Sequence, residues 1–237
     1  MTRSPMNRPP MNRPIVVFDL DGTLVDTAPD LLDSLNHCLV HAGLERAEPQ
    51  ELRRFVGMGG RVMIERAFAS QRHDLTQKRL DELQAVFLDH YGGNMPGHSQ
   101  PFPGVIAALD RLAAAGYLQA VCTNKYETLS TRLIASLDLT ERFAAICGAD
   151  TFSFRKPDPR HLIETIRMAG GDPGRAIMVG DSRTDIDTAK AACIPVVAVD
   201  FGYTDQHVRT FSPSRIISHF DELTTQMAEE LFAALAR

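Results

Sequence analysis

Two aspartates, Asp19 and Asp21, stand two residues apart directly after a short apolar run. The run, Ile15 to Phe18, is rich in β-branched residues, as is typical of a buried parallel strand. Side chains two residues apart on an extended backbone point to the same side, so both carboxylates are expected to face one site. Two negative charges at such a short distance require either a hard metal ion or one carboxyl group with a raised pKa. A solvated turn can have the same spacing, but it does not explain the strand before the pair.

The same arrangement of an apolar run ending in polar residues recurs along the chain. Leu118 to Cys122 run into Thr123-Asn124, Ala176 to Val179 run into Gly180-Asp181, and Val196 to Val199 stop at Asp200. Helical patterns lie between these runs: Val105 to Ala115, Leu129 to Leu137, Arg160 to Ala169 and Thr184 to Ala192. Alternating strands and helices predict an α/β fold with a doubly wound, Rossmann-like parallel sheet. Ligands bind at the carboxyl ends of such strands, so Asp19, Thr123 and Asp181 should converge.

The segment from Ala28 to about Gly92 contains helical patterns and no strand-like run. Those patterns cover Leu31 to Ala42, Gln50 to Phe55, Arg61 to Ala69 and Gln77 to His90. They predict a small helical cap, residues 28–95, inserted after the first strand. The core would then comprise residues 15–27 and 96–237, with residues 1–14 as a flexible leader. The proline- and glycine-rich stretch from Met95 to Pro103 would be the return linker.

Composition narrows the classes of function. A net charge of -5 argues against a nucleic-acid partner. The chain has no signal peptide and no apolar stretch near the roughly 20 residues of a membrane span, so we expect a cytoplasmic protein without membrane contact. The four cysteines lie far apart and are expected to be small buried residues in a reducing compartment. Monomer and homodimer both stay open.

The string Phe18-Asp19-Leu20-Asp21-Gly22-Thr23-Leu24 resembles the first motif of the haloacid dehalogenase superfamily. Three further segments resemble its other motifs in the right order, namely Thr123-Asn124, Lys156-Pro157, and Gly180-Asp181-Ser182 with Asp185. Each segment falls at a predicted strand end or in a loop, where the chemistry requires it. In isolation, Thr123 would be read as a helix cap and Lys156 as a surface lysine. Their joint placement favours a site.

The resemblance implies a magnesium-dependent phosphatase acting on a small phosphorylated metabolite. Asp19 would be the nucleophile and Asp21 the general acid and base. Mg²⁺ would be bound by Asp19, the Asp21 backbone carbonyl, and Asp181. The transferring phosphoryl group would be held by Thr123, Lys156 and the Asn124 backbone, with Gly22 also at the substrate. Asp185 would ligate the metal through water or orient Lys156.

Within the superfamily, the chain resembles the phosphoglycolate phosphatase group in Asp19 through Leu32, in the cap segment Arg53 to Gly60, and in Gly180 through Asp185. The resemblance predicts that glycines such as Gly57 admit a small acid, whose carboxylate Arg54 or Arg61 binds. A flexible turn with solvated arginines is the alternative for this segment. Arg160-His161 stands where a further proline is common, and Cys193 replaces a usual glycine.

Other functions share parts of this pattern. Phosphatases of other small esters or of pyrophosphate, and β-phosphoglucomutase, have the same four motifs. A phospho-accepting receiver domain also places aspartates, a threonine and a lysine around Mg²⁺, but it lacks the helical insert and an acid two residues after the nucleophile. A catalytically dead binding module is disfavoured because every motif residue is present. No H-E-x-x-H or G-x-x-x-x-G-K-[ST] motif occurs, which argues against zinc protease and P-loop kinase chemistry.

Overall fold

The computed structural model describes residues 13–48, 56–57 and 59–235. Its strands are β1 (Arg13–Phe18), β2 (Val25–Asp26), β3 (Gln100–Pro101), β4 (Leu118–Cys122), β5 (Ala145–Cys147), β6 (Gly171–Gly180), β7 (Val196–Val199) and β8 (Arg215–Ile217). Six of them form one parallel sheet in the order β5-β4-β1-β6-β7-β8. The predicted parallel α/β sheet is confirmed.

The helices are α1 (Ala28–His41), α2 (Gly60–Ser70), α3 (Gln77–Gly93), α4 (Val105–Ala114), α5 (Glu127–Ser136), α6 (Pro159–Met168), α7 (Arg183–Ala191) and α8 (Thr225–Leu235). Alternate residues of each strand face opposite sides of the sheet. On β1, Val16 and Phe18 pack in the layer with α4, α5 and α8, whereas Ile15 and Val17 pack in the layer with α6 and α7. Helices on both faces explain why residues 15–18 of β1 and residues 176–179 of β6 are apolar without interruption.

Helices α1, α2 and α3 share a hydrophobic cluster separate from the two on the sheet, which includes the fully buried Leu35, Met63 and Leu83 and is joined by Tyr203. The chain enters this helical segment just after β2 and returns through β3, and the two short strands pair antiparallel. Asp30, in the first turn of α1, accepts hydrogen bonds from the backbone N–H groups of His98 and Ser99, both at 2.8 Å. The outgoing and returning chains are therefore fastened together. The division into cap and core stays a prediction.

The predicted strands and helices agree with these bounds to within a few residues, apart from β6, which begins five residues before the predicted Ala176. The helix predicted over Gln50 to Phe55 lies outside the described residues. Four strands, β2, β3, β5 and β8, were not predicted, because two or three residues are too few to show a periodic pattern. The C-terminal helix α8 was not predicted either.

Two expectations need correction. The leader was predicted to extend to residue 14, but β1 begins at Arg13, which pairs with Gly171 and whose guanidinium donates to the Gly116 carbonyl at 3.1 Å. Cys38, Cys122 and Cys147 are buried as expected, but Cys193 is exposed. Cys193 follows α7 with a φ of 55°, the left-handed conformation that ends many helices and explains the usual glycine there.

Candidate active site

The adjacent strands β4, β1 and β6 place polar residues at one edge of the sheet. Phe18 is in register with Val121 on one side and with Val179 on the other. Asp19, Thr123 and Asp181 therefore leave the sheet together at its carboxyl edge, as predicted from the strand ends. Lys156 and Asp185 reach the same place from the loop before α6 and the first turn of α7.

Lys156 lies between two carboxylates. Its Nζ is 3.0 Å from Asp19 Oδ1 and 2.6 Å from Asp185 Oδ1, and its side chain is 1% exposed. Burial alone would lower the pKa of this ammonium, but Asp185 and Asp19 outweigh burial and raise it. Lys156 is thus a fixed positive charge beside the predicted nucleophile.

Asp185 is the third residue of α7 and forms a capping box with Ser182. Its Oδ2 accepts from the Ser182 N–H at 3.1 Å and from Ser182 Oγ at 2.6 Å, while Oδ1 accepts from Lys156. Both oxygens are occupied. Of the two roles that the sequence left open for Asp185, this geometry favours orienting Lys156.

Three carboxylates form a cluster that suits a hard cation. Oxygens of Asp19, Asp181 and Asp185 all lie within 4.8 Å of one another. Burial, followed by the Asp185 charge, raises the pKa of Asp19 to about 6, although Lys156 opposes the shift. Burial and the same neighbours raise the pKa of Asp181 well above its usual value. An all-oxygen set with an excess of negative charge matches the ligands that Mg²⁺ prefers.

Asp181 is held from two directions. Its Oδ2 accepts from the backbone N–H of Tyr203 at 2.6 Å, and its Oδ1 accepts from Thr23 Oγ1 at 3.4 Å. Gly22 packs directly against it with a φ of 79°, and a Cβ there would stand 2.4 Å from Asp181 Oδ2. Glycine at position 22 thus lets the loop after β1 close on the acidic cluster, a reason that differs from the substrate contact predicted for it.

Asp21 has its own cation, which the sequence analysis missed. Lys125 Nζ lies 2.9 Å and 3.2 Å from the two carboxylate oxygens of Asp21, and 2.7 Å from the hydroxyl of Tyr91 on α3. Burial would lower the pKa of Lys125, but Asp21 and Tyr91 raise it overall. The only signal in the sequence was the position of Lys125 directly after Thr123-Asn124.

The loop after β4 is connected to the loop before α6. Thr123 Oγ1 accepts from the N–H of Lys125 at 3.2 Å, and Asn124 Nδ2 donates to the Lys156 carbonyl at 3.0 Å. Helix α5 has Tyr126 at its N-cap, so Thr123 does not cap it. The alternative interpretation of Thr123 as a helix cap is therefore wrong.

His161 is buried and contacts the backbone of Lys156. Its Nδ1 accepts a hydrogen bond from the Lys156 N–H at 3.1 Å. Burial, and then the Lys156 charge, lower the pKa of His161 to about 4, so the ring is neutral and its lone pair remains available. A histidine at this position supports the backbone that carries the lysine.

The predicted substrate-reading residues of the helical segment have different outcomes. Arg54 lies outside the described residues. Gly57 stands against the core, and a Cβ there would be 3.1 Å from the Tyr203 carbonyl oxygen. The Arg61 guanidinium is bound by Asp81 at 2.6 Å, Gln84 at 2.8 Å and Gln77 at 2.9 Å, so it fastens α2 to α3.

A family model described as haloacid dehalogenase-like hydrolase matches residues 16–199, which include all the strand ends of the site. The chain belongs to this haloacid dehalogenase-like family. A phosphoglycolate phosphatase of Mesorhizobium japonicum is 66% identical over 93% of this chain and 97% of its own length. A phosphoglycolate phosphatase of Agrobacterium fabrum is 50% identical over 92% and 94%. A crystal structure of a predicted phosphoglycolate phosphatase from Haemophilus somnus has a TM-score of 0.82 at 28% identity, covering 89% of this chain and 96% of that one.

This haloacid dehalogenase-like hydrolase is a phosphatase and resembles phosphoglycolate phosphatases, as the sequence motifs predicted. Among its described residues, no helix is both long enough and apolar enough to cross a lipid bilayer.

Proposed function

We propose that this phosphatase hydrolyses 2-phosphoglycolate in the cytoplasm, with Mg²⁺, through an aspartyl-phosphate on Asp19. The observation that carries the mechanism is the position of Asp19, whose carboxylate lies 3.0 Å from the buried Lys156 ammonium and beside the acidic cluster. The substrate is supported by the two relatives above, both phosphoglycolate phosphatases.

In the first step, an Asp19 carboxylate oxygen attacks phosphorus and the ester P–O bond breaks. Asp21 donates its proton to the departing oxygen, so glycolate leaves with a hydroxyl group. One Asp19 oxygen is fixed by the Leu20 N–H at 2.7 Å and by Lys156, which orients the carboxylate for attack.

In the second step, water attacks phosphorus of the aspartyl-phosphate and gives its proton to the Asp21 carboxylate. The P–O bond to Asp19 breaks, which releases inorganic phosphate and regenerates the nucleophile. Asp21 is suited to both steps because it stands two residues beyond Asp19, close enough for its charge to raise the Asp19 pKa.

Asp19, Asp181 and the Asp21 backbone carbonyl would hold Mg²⁺, with Asp185 behind them. When bound, the ion neutralises the negative charge that would otherwise keep a carboxylate from a phosphate dianion. The clustered carboxylates with raised pKa values fit this assignment. Lys156, Thr123 and the Asn124 backbone would bind the transferring phosphoryl oxygens.

The helical segment would act as a cap that admits small substrates and keeps water from the reaction. Its own hydrophobic cluster and the paired β2 and β3 connections support a unit that moves as one body. The assignment of Gly57 and Arg54 to substrate recognition stays a prediction. Monomer and homodimer both remain open.

Turnover of 2-phosphoglycolate, sugar phosphates, pyrophosphate and nucleotides, each with Mg²⁺ and with chelator, tests this function. We expect 2-phosphoglycolate to give the highest kcat/KM and chelator to abolish activity. Preference for another ester would overturn the substrate, and full activity in chelator would overturn the metal.

Two variants test the mechanism. Asp19→Asn removes the nucleophile and should lower turnover by several orders of magnitude, on the scale of about 10⁴-fold or more. Asp21→Asn, assayed with an aryl phosphate whose leaving group needs no proton, should accumulate phosphorylated Asp19, detectable by mass spectrometry. Asp19→Asn activity within tenfold of the parent would contradict covalent catalysis.

A further inference from the structure

The site contains two buried lysines, and each is bound to a different aspartate. Lys156 contacts Asp19, whereas Lys125 contacts Asp21. In an in-line displacement the attacking and leaving oxygens lie on opposite sides of phosphorus. Asp19 is the proposed attacking group and Asp21 the proposed proton donor to the leaving oxygen. Lys125 therefore lies on the leaving-group side.

Lys125 is fixed by contacts from both parts of the molecule. Its Nζ is 2.9 Å from Asp21 Oδ1 in the core and 2.7 Å from the hydroxyl of Tyr91 on α3. The ammonium also lies 4.3 Å from the centre of the Tyr91 ring, a cation–π distance. The Lys125 side chain is 5% exposed, so its charge is largely removed from water.

The chemistry of the proposed leaving group fits this position. In 2-phosphoglycolate, one methylene carbon separates the ester oxygen from the carboxylate group. When Asp21 reaches the ester oxygen, this short spacing keeps the carboxylate on the Asp21 side of the substrate, within reach of the Lys125 ammonium. A charge-assisted hydrogen bond in a site shielded from water is strong and specific. The partners of Arg61, by contrast, are Asp81, Gln84 and Gln77, all on α3, whereas Lys125 contacts the proposed proton donor Asp21 directly.

We propose that Lys125, held in place by Tyr91, is the cation that recognises the carboxylate of the leaving group and so determines specificity for short phosphorylated acids. This inference rests on the proposed function. Recognition then depends on both a core loop, which carries Lys125, and helix α3, which carries Tyr91. It requires the contact between these two residues.

Two substrates that differ only in this charge provide the test: 2-phosphoglycolate and its amide, 2-phosphoglycolamide. The wild type should prefer the acid, and Lys125→Met should reduce that preference in kcat/KM by at least about 30-fold. Lys125→Arg keeps the charge and should retain most of the preference. Tyr91→Phe removes only the hydroxyl group and should reduce the preference less than Lys125→Met. Lys190→Met removes the same charge at a surface site, where Nζ donates to the Phe211 carbonyl, and should leave the preference unchanged.

The results that would contradict the inference can be told apart. If Lys125→Met slows both substrates equally, Lys125 acts only on Asp21 and does not read the acid. If Lys125→Met keeps the preference for the acid, another group recognises the carboxylate, whether or not Tyr91→Phe keeps the preference too. If the wild type itself does not hydrolyse 2-phosphoglycolate, the proposed substrate fails and the inference fails with it. Should Lys125→Met not fold, loss of preference in folded Tyr91→Phe supports the inference and full preference there contradicts it.

Discussion

As the nucleophile, Asp19 must be shielded from bulk water, and its carboxylate must also be ionised to attack phosphorus. Burial and the neighbouring Asp185 charge together raise its pKa to about 6. Lys156, whose Nζ lies 3.0 Å from Asp19 Oδ1, lowers the pKa of Asp19 and so favours the ionised carboxylate at neutral pH. The nucleophile is thus tuned by one cation and one anion that contact each other at 2.6 Å.

This raised pKa predicts how stability depends on pH in the metal-free protein. The pKa of Asp19 is about 6 in the folded protein, and its ordinary value is 3.8. A group with a raised folded pKa contributes stability below the unfolded pKa, and this contribution is lost as pH rises through the folded pKa. Between pH 4 and pH 7, the free energy of unfolding of the wild type should therefore fall relative to Asp19→Asn by up to about 3 kcal/mol.

Urea unfolding of both proteins at several pH values, after removal of metal, measures this difference. The comparison cancels carboxylates that titrate equally in both proteins. A difference between wild type and Asp19→Asn that stays constant from pH 4 to pH 7 would show that Asp19 has an ordinary pKa.

At the scale of elements, the sequence was most informative where strands end. The runs ending at Phe18, Cys122 and Val179 were correctly predicted as strands of one parallel sheet, because strands buried on both faces are largely apolar. That alone placed Asp19, Thr123 and Asp181 at one edge of the sheet. The positions of loop residues could not be predicted in this way, because loops have no hydrophobic periodicity.

Lys125 and His161 illustrate the limit. Both lie in loops or at helix starts, and their roles depend on partners distant in sequence or on backbone groups. Lys125 contacts Asp21, 104 residues away. His161 supports the Lys156 backbone through a ring nitrogen, a contact that composition and spacing do not reveal. Tertiary contacts of this kind require the structure.

The connection between α1 and the return linker offers a test at this scale. Asp30, 9% exposed, accepts from three donors: the His98 N–H, the Ser99 N–H and Ser99 Oγ. Asp30→Asn replaces one acceptor oxygen by an amide donor and leaves a buried N–H unsatisfied. The free energy of unfolding should fall by about 1–3 kcal/mol.

Denaturant unfolding measures that loss, and Asp33→Asn on the same helix is the matched control. Asp33 is 59% exposed, so its substitution should change stability by less than about 0.5 kcal/mol. Equal effects of the two substitutions would show that loss of a carboxylate from α1, rather than the bonds to the linker, is responsible.

At the scale of the whole molecule, the acidic cluster is connected to the entrance of the helical segment. The Tyr203 backbone N–H donates to Asp181 at 2.6 Å, and the Tyr203 hydroxyl donates to Asp26 and accepts from the Ala28 N–H at 3.0 Å. One residue thus joins a predicted metal ligand to the start of α1. Binding of a cation to the acidic cluster should therefore change the stability of the whole protein.

Mg²⁺ binding should consequently raise the thermal stability of the wild type. A ligand that binds only the folded state at about 100 times its Kd adds roughly 2.7 kcal/mol. Asp181→Asn should abolish most of this stabilisation, because an amide replaces a carboxylate in the oxygen cluster. In metal-free buffer the same variant should be at least as stable as the wild type, since it removes one of three close, buried negative charges.

Asp187→Asn is the matched control, because Asp187 lies on the exposed side of α7 and pairs with Arg183 at 3.2 Å. Thermal unfolding of the three proteins, each with chelator and with Mg²⁺, separates the effects. Equal stabilisation of the wild type and Asp181→Asn by Mg²⁺ would place the ion elsewhere, whereas a loss of stability in Asp181→Asn without metal would assign Asp181 to holding the Tyr203 loop rather than to binding the cation.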